Sequence, residues 1–226
     1  SVRMADFDAI TRYYGRWASV YDLVARHMPG IASIRNRLAH ELALEPGETV
    51  IEMGCGTGAN FPFLRDRVGD SGRVVGLDVT PGVLRHARGR IHRAGWNNVT
   101  VIRGDAARPP IESADTILAT FVVGMLDEPE AAIQDWCTRL RPGGRIGLLD
   151  ARQSNHRGLT PLNGFFRAFV LLTAPPGTRL RYDVSPAEVL DSRVESARTV
   201  IDDRCDVVAR RRLGLGFLDL AVGTVA

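Results

Sequence analysis

A glycine-rich loop after a strand-like run holds the residues best suited to chemistry. Residues 49–60 read TVIEMGCGTGAN, in which glycines occupy positions 54, 56 and 58 and Glu52 lies two residues before the first of them. Glycine lets the chain turn tightly and lets a ligand touch bare backbone. A strand followed by a loop and a helix directs backbone N–H groups at a ligand. We therefore expect a nucleotide-type cofactor at this loop.

The loop taken alone fits two classes of cofactor. Gly54, Gly56 and Ala59 match the dinucleotide fingerprint G-x-G-x-x-[GA]. Asp78 also follows at the distance of a ribose-binding acid, so an NAD-linked oxidoreductase is one reading. Glu52 favours another reading, because a carboxylate repels a diphosphate and attracts an ammonium group. Asp105, in the RGDA segment, adds a carboxylate that can accept a hydrogen bond from an adenine amino group.

Alternating strand and helix patterns must position these side chains. The predicted strands lie at 49–53, 73–78, 99–103, 115–121 and 145–150, and the helices between them at 58–67, 81–94 and 128–140. Strands separated by roughly 10–15 helical residues predict a parallel sheet with helices on both faces. Further helices are predicted in 6–44, 159–174 and 186–200, and a hairpin at 206–214 and 217–225.

Together these patterns predict one α/β domain, a doubly wound Rossmann-like seven-stranded sheet. It is mostly parallel, with a C-terminal antiparallel hairpin and added N-terminal helices. We divide residues 1–226 into an N-terminal helical lid, a cofactor-binding core, a substrate-side helical insertion and a terminal hairpin. Their expected ranges are 1–46, 47–150, 151–204 and 205–226.

Several ordered motifs resemble the class I S-adenosylmethionine-dependent methyltransferases. VIEMGCGTG is similar to the first motif of that family, VVGLDVTPGVLRHA to the second and VIRGDAARPP to the adenine motif. GRWASVYD resembles a segment of the ubiquinone/menaquinone C-methyltransferase and phospholipid N-methyltransferase branches. The resemblance is strong over 47–150, moderate over 12–22 and weak over 151–226, and Pro109-Pro110 replaces the usual Leu-Pro.

The resemblance implies that S-adenosylmethionine is the cofactor. Its implied binding residues are Tyr14, Glu52, Gly54, Gly56, Gly58, Asp78, Val79, Asp105, Ala106, Thr120 and Phe121. The three glycines would approach the methionine part, and Glu52 would orient the loop or meet the ammonium group, directly or through water. Asp78 would bind the ribose, with Val79, Asp105 and the Ala106 N–H at the adenine. Thr120 and Phe121 would face the sulfonium.

The helix from Tyr14 to Tyr21 has two interpretations that the sequence leaves open. The resemblance implies that it closes over the cofactor, whereas aromatic residues at helical spacing are also typical of a core stripe. Methyl transfer mainly requires alignment of the reacting atoms, so the sequence does not reveal which residues are catalytic. The candidates for accepting or donating a proton are Tyr21, Asp22, His156 and Tyr182. Of these four, we prefer Tyr21 and His156. No metal site is expected.

An apolar stripe in residues 159–174 bears on the methyl acceptor. Leu162, Phe165, Phe166 and Phe169 share one helical face, near Arg157 and Arg167. Ligand pockets are mostly apolar with a few polar groups, so we expect a small lipophilic or amphipathic acceptor. Packing on the sheet or on another subunit is an equal alternative. Peripheral membrane contact and the oligomeric state are left open, as is a catalytically silent protein that keeps the cofactor fold.

Composition narrows the other function classes. The net charge is only +3 and all 29 basic residues are arginines spread along the chain, so a nucleic-acid partner is not expected. Three cysteines far apart in sequence, without a C-x-x-C pair, argue against a disulfide framework or a zinc site and favour a reducing cytoplasm. No apolar run approaches the ~18 residues of a membrane span. The acidic, non-apolar beginning is not expected to be a signal peptide.

Overall fold

A computed structural model describes residues 30–154, 158, 160–173 and 185–226. Its strands are β1 (Thr49–Met53), β2 (Arg73–Asp78), β3 (Val99–Arg103), β4 (Ala114–Thr120), β5 (Leu140–Ala151), β6 (Asp206–Leu213) and β7 (Leu218–Thr224). Its helices are α1 (Ile31–Glu41), α2 (Phe61–Val68), α3 (Pro81–Ala94), α4 (Pro129–Thr138), α5 (Thr160–Thr173) and α6 (Pro186–Arg204). Short 3-10 turns occupy Val123–Met125 and Gly214–Gly216. No helix within these ranges is long and apolar enough to cross a bilayer.

The seven strands form one sheet in the order β3-β2-β1-β4-β5-β7-β6. Neighbours from β3 to β5 run parallel, while β7 runs antiparallel between β5 and β6. The predicted Rossmann-like sheet with a terminal antiparallel hairpin is therefore confirmed. From β1 the chain moves outward to β2 and β3, and it then crosses back to β4 on the other side of β1, so the strand order reverses between β1 and β4. Ligands of open α/β sheets bind outside the strand ends at such a switch point.

Two apolar layers cover the two faces of the sheet. Val50 of β1 packs in the same cluster as Leu38 and Phe61, from α1 and α2. Ile51, the next residue, packs in the opposite cluster with Trp136 and Ile201, from α4 and α6. Successive strand side chains point to opposite faces, so Glu52 lies on the α2 face with Val50. The alternation thereby fixes which helix the Glu52 carboxylate meets.

Helices α3 and α4 begin at Pro81 and Pro129, at or within one residue of their predicted starts, whereas α2 begins at Phe61 rather than at residue 58. Proline is favoured in a first helical turn because its missing N–H would be unpaired there in any case. Threonine is a residue type that can cap a helix, but the side chain of Thr80, which precedes α3, makes no capping hydrogen bond. Ser185 does cap α6, because its hydroxyl accepts the N–H of Glu188 in a reciprocal capping box.

Strand β5 begins five residues earlier than the predicted start at 145. Gly143 donates its N–H to the Val225 carbonyl at 3.1 Å, and the Val225 N–H donates to the Gly144 carbonyl at 2.9 Å. The register with β4 also shifts between Ala114 and Thr116. The segment RPGGR is therefore an irregular strand start that pairs with the C-terminal residues, a long-range contact that local turn signals do not reveal.

Candidate functional site

The glutamate of the loop lies at the centre of a buried polar network. Glu52 is 1% exposed. Asn60 donates its amide to Glu52 Oε1 at 2.5 Å and to Thr120 Oγ1 at 3.0 Å. The guanidinium of Arg35 donates to Asn60 Oδ1 at 2.8 Å. Because Glu52 precedes the glycine loop and Asn60 follows it, the network ties the two ends of the loop together.

Among the residues that the structure describes, one oxygen of the Glu52 carboxyl has no hydrogen-bond partner. Burial raises its pKa to about 7, although the Asn60 hydrogen bond and the charge of Arg35 oppose the rise. Oε2 is buried and unpaired, whereas nearly all buried polar atoms in proteins are hydrogen-bonded. An unpaired carboxylate oxygen is an acceptor suited to a cationic donor. This feature fits the ammonium group of a methionine-derived cofactor.

The three positions in the loop are occupied by glycine for different structural reasons. A Cβ on Gly54 would lie 2.4 Å from Val122, and one on Gly58 would lie 2.4 Å from the Phe61 ring. Side-chain packing therefore explains both positions. Gly56 has φ +55°, and a Cβ there would meet no atom of the described residues within 4 Å, so its backbone borders open space among them. Among the three, Gly56 best fits the prediction that a ligand touches bare backbone.

Asp78 links the glycine loop to the end of β2. Its Oδ2 accepts the Gly56 N–H at 2.9 Å, and its Oδ1 accepts the Thr80 N–H at 2.8 Å. Burial raises the pKa of this carboxyl, while the two backbone N–H groups act to lower it. Each carboxylate oxygen has a second lone pair, and the side chain is only half-buried. Asp78 can therefore hold the loop and still accept ribose hydroxyls.

The residues predicted to meet the adenine follow the ends of β2 and β3. Val79 is half-buried, and Asp105 is exposed with its Oδ1 accepting the Ala107 N–H at 2.9 Å. The Ala106 carbonyl accepts the indole N–H of Trp136 at 2.8 Å. Because Trp136 is fully buried in α4, this contact anchors the Asp105–Ala107 turn to the helical layer.

Residues at the end of β4 form the opposite side of the switch point. The Thr120 hydroxyl belongs to the network of Asn60 and Glu52. Phe121 has φ +59°, a left-handed conformation that is uncommon outside glycine. Its N–H donates to the Leu149 carbonyl of β5 at 2.7 Å. Whether Thr120 and Phe121 face the sulfonium, as the sequence implies, stays a prediction.

A buried aspartate on β5 supports the turn that follows Phe121. Asp150 is 2% exposed and accepts backbone hydrogen bonds from Val122 and Val123. Burial and the charge of Asp219, directly opposite on β7, raise the pKa of Asp150 to about 7. The turn that carries Val122 over Gly54 is thus held by β5 through both a backbone carbonyl and a carboxyl.

Part of the predicted site lies outside the described residues. This applies to Tyr14, Tyr21, Asp22, His156 and Tyr182, and to Arg157 near the apolar stripe. Sequence reasoning missed Asn60, whose signal was a polar residue at the loop end just before the apolar run of α2. It also missed Arg35 and Asp150, which no motif marks. Within the described residues, no group of three or more His, Cys, Asp or Glu could hold a metal ion.

The apolar stripe of α5 is only partly covered. Phe165 is 76% exposed and Leu162 is 39% exposed. Phe166 lies with its ring centroid 5.6 Å from that of Phe217, just before β7. The Arg167 guanidinium donates to the Gln153 side chain at 2.7 Å. The side chain of Phe169 lies outside the described set. Helix α5 therefore packs through Phe166 against the residue that precedes β7, while Leu162 and Phe165 stay exposed.

Comparison with known proteins agrees with this geometry. A family model described as a methyltransferase domain matches residues 50–144. Phosphatidylethanolamine N-methyltransferase of Cereibacter sphaeroides is 32% identical over 148 residues, which cover 64% of this chain and 69% of the relative. Demethylmenaquinone methyltransferase of Listeria welshimeri is 26% identical over 129 residues, covering 56% and 55%. These two relatives belong to the two branches that the sequence resembles.

A solved structure shares the fold over nearly the whole chain. The putative S-adenosylmethionine-dependent methyltransferase of Methanococcus maripaludis superposes with a TM-score of 0.66 at 17% identity, covering 95% of this chain and 94% of that one. The chain spans between 29% and 69% of the length of five curated relatives, to which it is 26–32% identical. With the family model and the phosphatidylethanolamine methyltransferase matching the same core, the chain belongs to the S-adenosylmethionine-dependent methyltransferases.

Proposed function

We propose that this chain transfers a methyl group from S-adenosylmethionine to a small lipophilic or amphipathic acceptor. The observation that carries the proposal is the triangle of Glu52, Gly56 and Asp78 at the switch point. It combines an unpaired buried carboxylate oxygen, an open stretch of backbone and a half-buried carboxylate on the adjacent strand. These three groups match an ammonium, a methionine chain and a ribose in that order.

Different residues of the chain would bind different parts of the cofactor. Glu52 would take the ammonium group, directly or through water, and Asp78 would take the ribose hydroxyls. Val79, Asp105 and the Ala106 N–H would border the adenine. The Trp136 indole holds the Ala106 carbonyl, and Asp78 holds the Gly56 N–H.

Catalysis would rest on positioning. The bound cofactor supplies a methyl group on a sulfonium, which is already a strong electrophile. The chain has to align the acceptor atom with that methyl group and exclude water, and alignment supplies about 7–11 kcal/mol in favourable cases. Asp150 and Leu149 fix the turn after β4 that borders this region. Tyr21 and His156 stay candidates for accepting a proton if the acceptor must lose one.

The acceptor class is supported by two independent features. The names of the two relatives place phosphatidylethanolamine and demethylmenaquinone, both lipophilic, among acceptors used with a similar core. Helix α5 follows β5 on the side where we expect the acceptor to enter, and it leaves Leu162 and Phe165 exposed. Uncovered apolar side chains beside a site are typical of ligand-binding surfaces. A lipid-borne acceptor would bring this helix to a membrane surface.

The test is methyl transfer from radiolabelled S-adenosylmethionine to a defined panel. The panel contains phosphatidylethanolamine in detergent micelles, a demethylated naphthoquinol and, as polar controls, ethanolamine and catechol. We expect label in at least one lipophilic acceptor at a rate that Asp78→Ala reduces. Transfer only to the polar controls would contradict the acceptor class. Tight binding of S-adenosylhomocysteine with no transfer to any acceptor would favour the catalytically silent alternative.

A further inference from the structure

Two thiols that are distant in sequence meet where α4 and α6 pack together. Cys137 is the next-to-last residue of α4, and Cys205 directly follows α6. Their sulfur atoms are 3.9 Å apart, although 68 residues separate them along the chain. Both residues are half-buried and both thiols are free. The sequence-based argument against a disulfide framework did not foresee this pair, because it depended on chain separation.

The backbones that carry the two sulfurs are firmly held. Cys205 donates its N–H to the Ile201 carbonyl at 2.9 Å. Its Cβ lies against Gly223 of β7, where an added Cβ would approach within 2.7 Å. On the other helix, Trp136 is fully buried beside Cys137. A disulfide needs a sulfur separation of about 2.05 Å, so side-chain rotation with a small helix shift would have to move each sulfur by about 1 Å.

The pair has the acid–base asymmetry that thiol exchange requires. The hydrogen bond between the two sulfurs lowers the pKa of Cys205 and raises that of Cys137. This direction favours Cys205 as the attacking thiolate and Cys137 as the resolving thiol. Cys55 differs, because burial and the charges of Glu52 and Asp78 raise its pKa well above the usual range. It serves as an internal control for reactivity.

We propose that Cys137 and Cys205 form a redox modification site that closes to an intramolecular disulfide by exchange with a small oxidised thiol. The Cys205 thiolate attacks one sulfur of glutathione disulfide, which forms a mixed disulfide and releases one glutathione thiolate. Cys137 gives its proton to solvent and attacks the Cys205 sulfur, which releases the second glutathione. The protein dithiol is oxidised by two electrons, and one glutathione disulfide is reduced to two thiols.

The cross-link would connect two helices that support opposite sides of the cofactor site. Helix α4 holds the Ala106 carbonyl through Trp136. Helix α6 contacts the turn after β4, where the Arg193 guanidinium donates to the Gly124 carbonyl at 3.0 Å. Unfolding would then have to occur with these helices still joined, and closing a loop of this length removes entropy from the unfolded chain. Oxidation should therefore stabilise the fold.

The experiment treats the reduced protein, residues 1–226, with glutathione disulfide, alkylates the remaining thiols and maps the peptides by mass spectrometry. We expect one peptide pair joined through Cys137 and Cys205, with Cys55 alkylated only after unfolding. The melting temperature should rise by about 5 °C or more on oxidation. Cys55→Ser should form the same cross-link as the wild type and show the same rise in melting temperature on oxidation. Cys137→Ser should stop at a mixed disulfide on Cys205 and show no rise.

Two outcomes would overturn the proposal, and a third would overturn the stabilisation that it predicts. One is persistent glutathionylation of Cys205 in the wild type without a cross-link. Another is a cross-link that involves Cys55. A third is an oxidised protein that contains the Cys137–Cys205 bond but melts at the same temperature as the reduced form, which would remove the stabilising role.

Discussion

Replacing Glu52 with glutamine should abolish one specific pH dependence of stability. The carboxyl is fully buried and its pKa is raised to about 7, so the folded state keeps it protonated where the unfolded chain ionises it. Its contribution is fully present below the unfolded value of 4.5 and is lost as pH rises through about 7. Ionised Glu52 thus destabilises the ligand-free protein above neutral pH.

The size of the effect follows from the two pKa values. A shift of one unit corresponds to ~1.4 kcal/mol, so the rise from 4.5 to about 7 amounts to roughly 3 kcal/mol in full, of which roughly 2–3 kcal/mol is lost between pH 5 and pH 8. The wild type should lose that much stability relative to Glu52→Gln over this interval. Any fixed cost of the new amide cancels in the comparison, as does the titration of Asp150.

The assay is urea unfolding of both proteins at pH 5 and pH 8. Glu112→Gln, at an exposed glutamate, is the matched control and should follow the wild type. Binding of S-adenosylhomocysteine should show the opposite trend, since its ammonium group pairs with the ionised carboxylate. Wild-type affinity should rise through pH 7, and the Glu52→Gln protein should bind about tenfold or more weakly at pH 8. Equal pH slopes for wild type and variant would refute the reasoning.

Three further substitutions, one of them with a matched glycine control, test other parts of the site. Asp78→Ala should weaken S-adenosylhomocysteine binding by ~1.5–3 kcal/mol, the loss of charge-assisted hydrogen bonds, as read by calorimetry; unchanged affinity would show that the ribose assignment is wrong. Gly58→Ala should cost ~2–4 kcal/mol in urea unfolding, because its Cβ would strike Phe61 at φ +75°. Gly95→Ala, at φ +66° and ψ +26° with no described atom within 4 Å of the added Cβ, should cost only ~1 kcal/mol, and equal losses would refute the packing argument. Trp136→Phe should weaken cofactor binding as well as stability, by ~1–3 kcal/mol in unfolding, because it frees the Ala106 carbonyl; a stability loss with unchanged affinity would separate that turn from the adenine site.

The sheet was predictable because its signals are local. In β1 and β2, buried residues of both apolar layers alternate along the strand, and proline or glycine marks the element ends. The predicted bounds of β1, β2 and β3 coincide with the structure. The start of β5 was not predictable, since it depends on pairing between Gly143 and Val225.

The acids of the site were predictable and their supports were not. Glu52, Asp78 and Asp105 stand at fixed positions in motifs. Asn60 is recognisable only once the fold places it against Glu52 and Thr120. The pairing of Asp150 with Asp219 across β5 and β7 likewise requires the antiparallel register. The buried polar groups that support these acids come from distant segments of the chain, so no local sequence pattern predicts them.

The most direct test of the account is calorimetric titration of the wild-type protein with S-adenosylhomocysteine and, separately, with NAD. The Glu52, Gly56 and Asp78 arrangement predicts one S-adenosylhomocysteine site per chain and no heat of binding with NAD. Binding of NAD without binding of S-adenosylhomocysteine would contradict the assignment of this site to a methyl-donor cofactor.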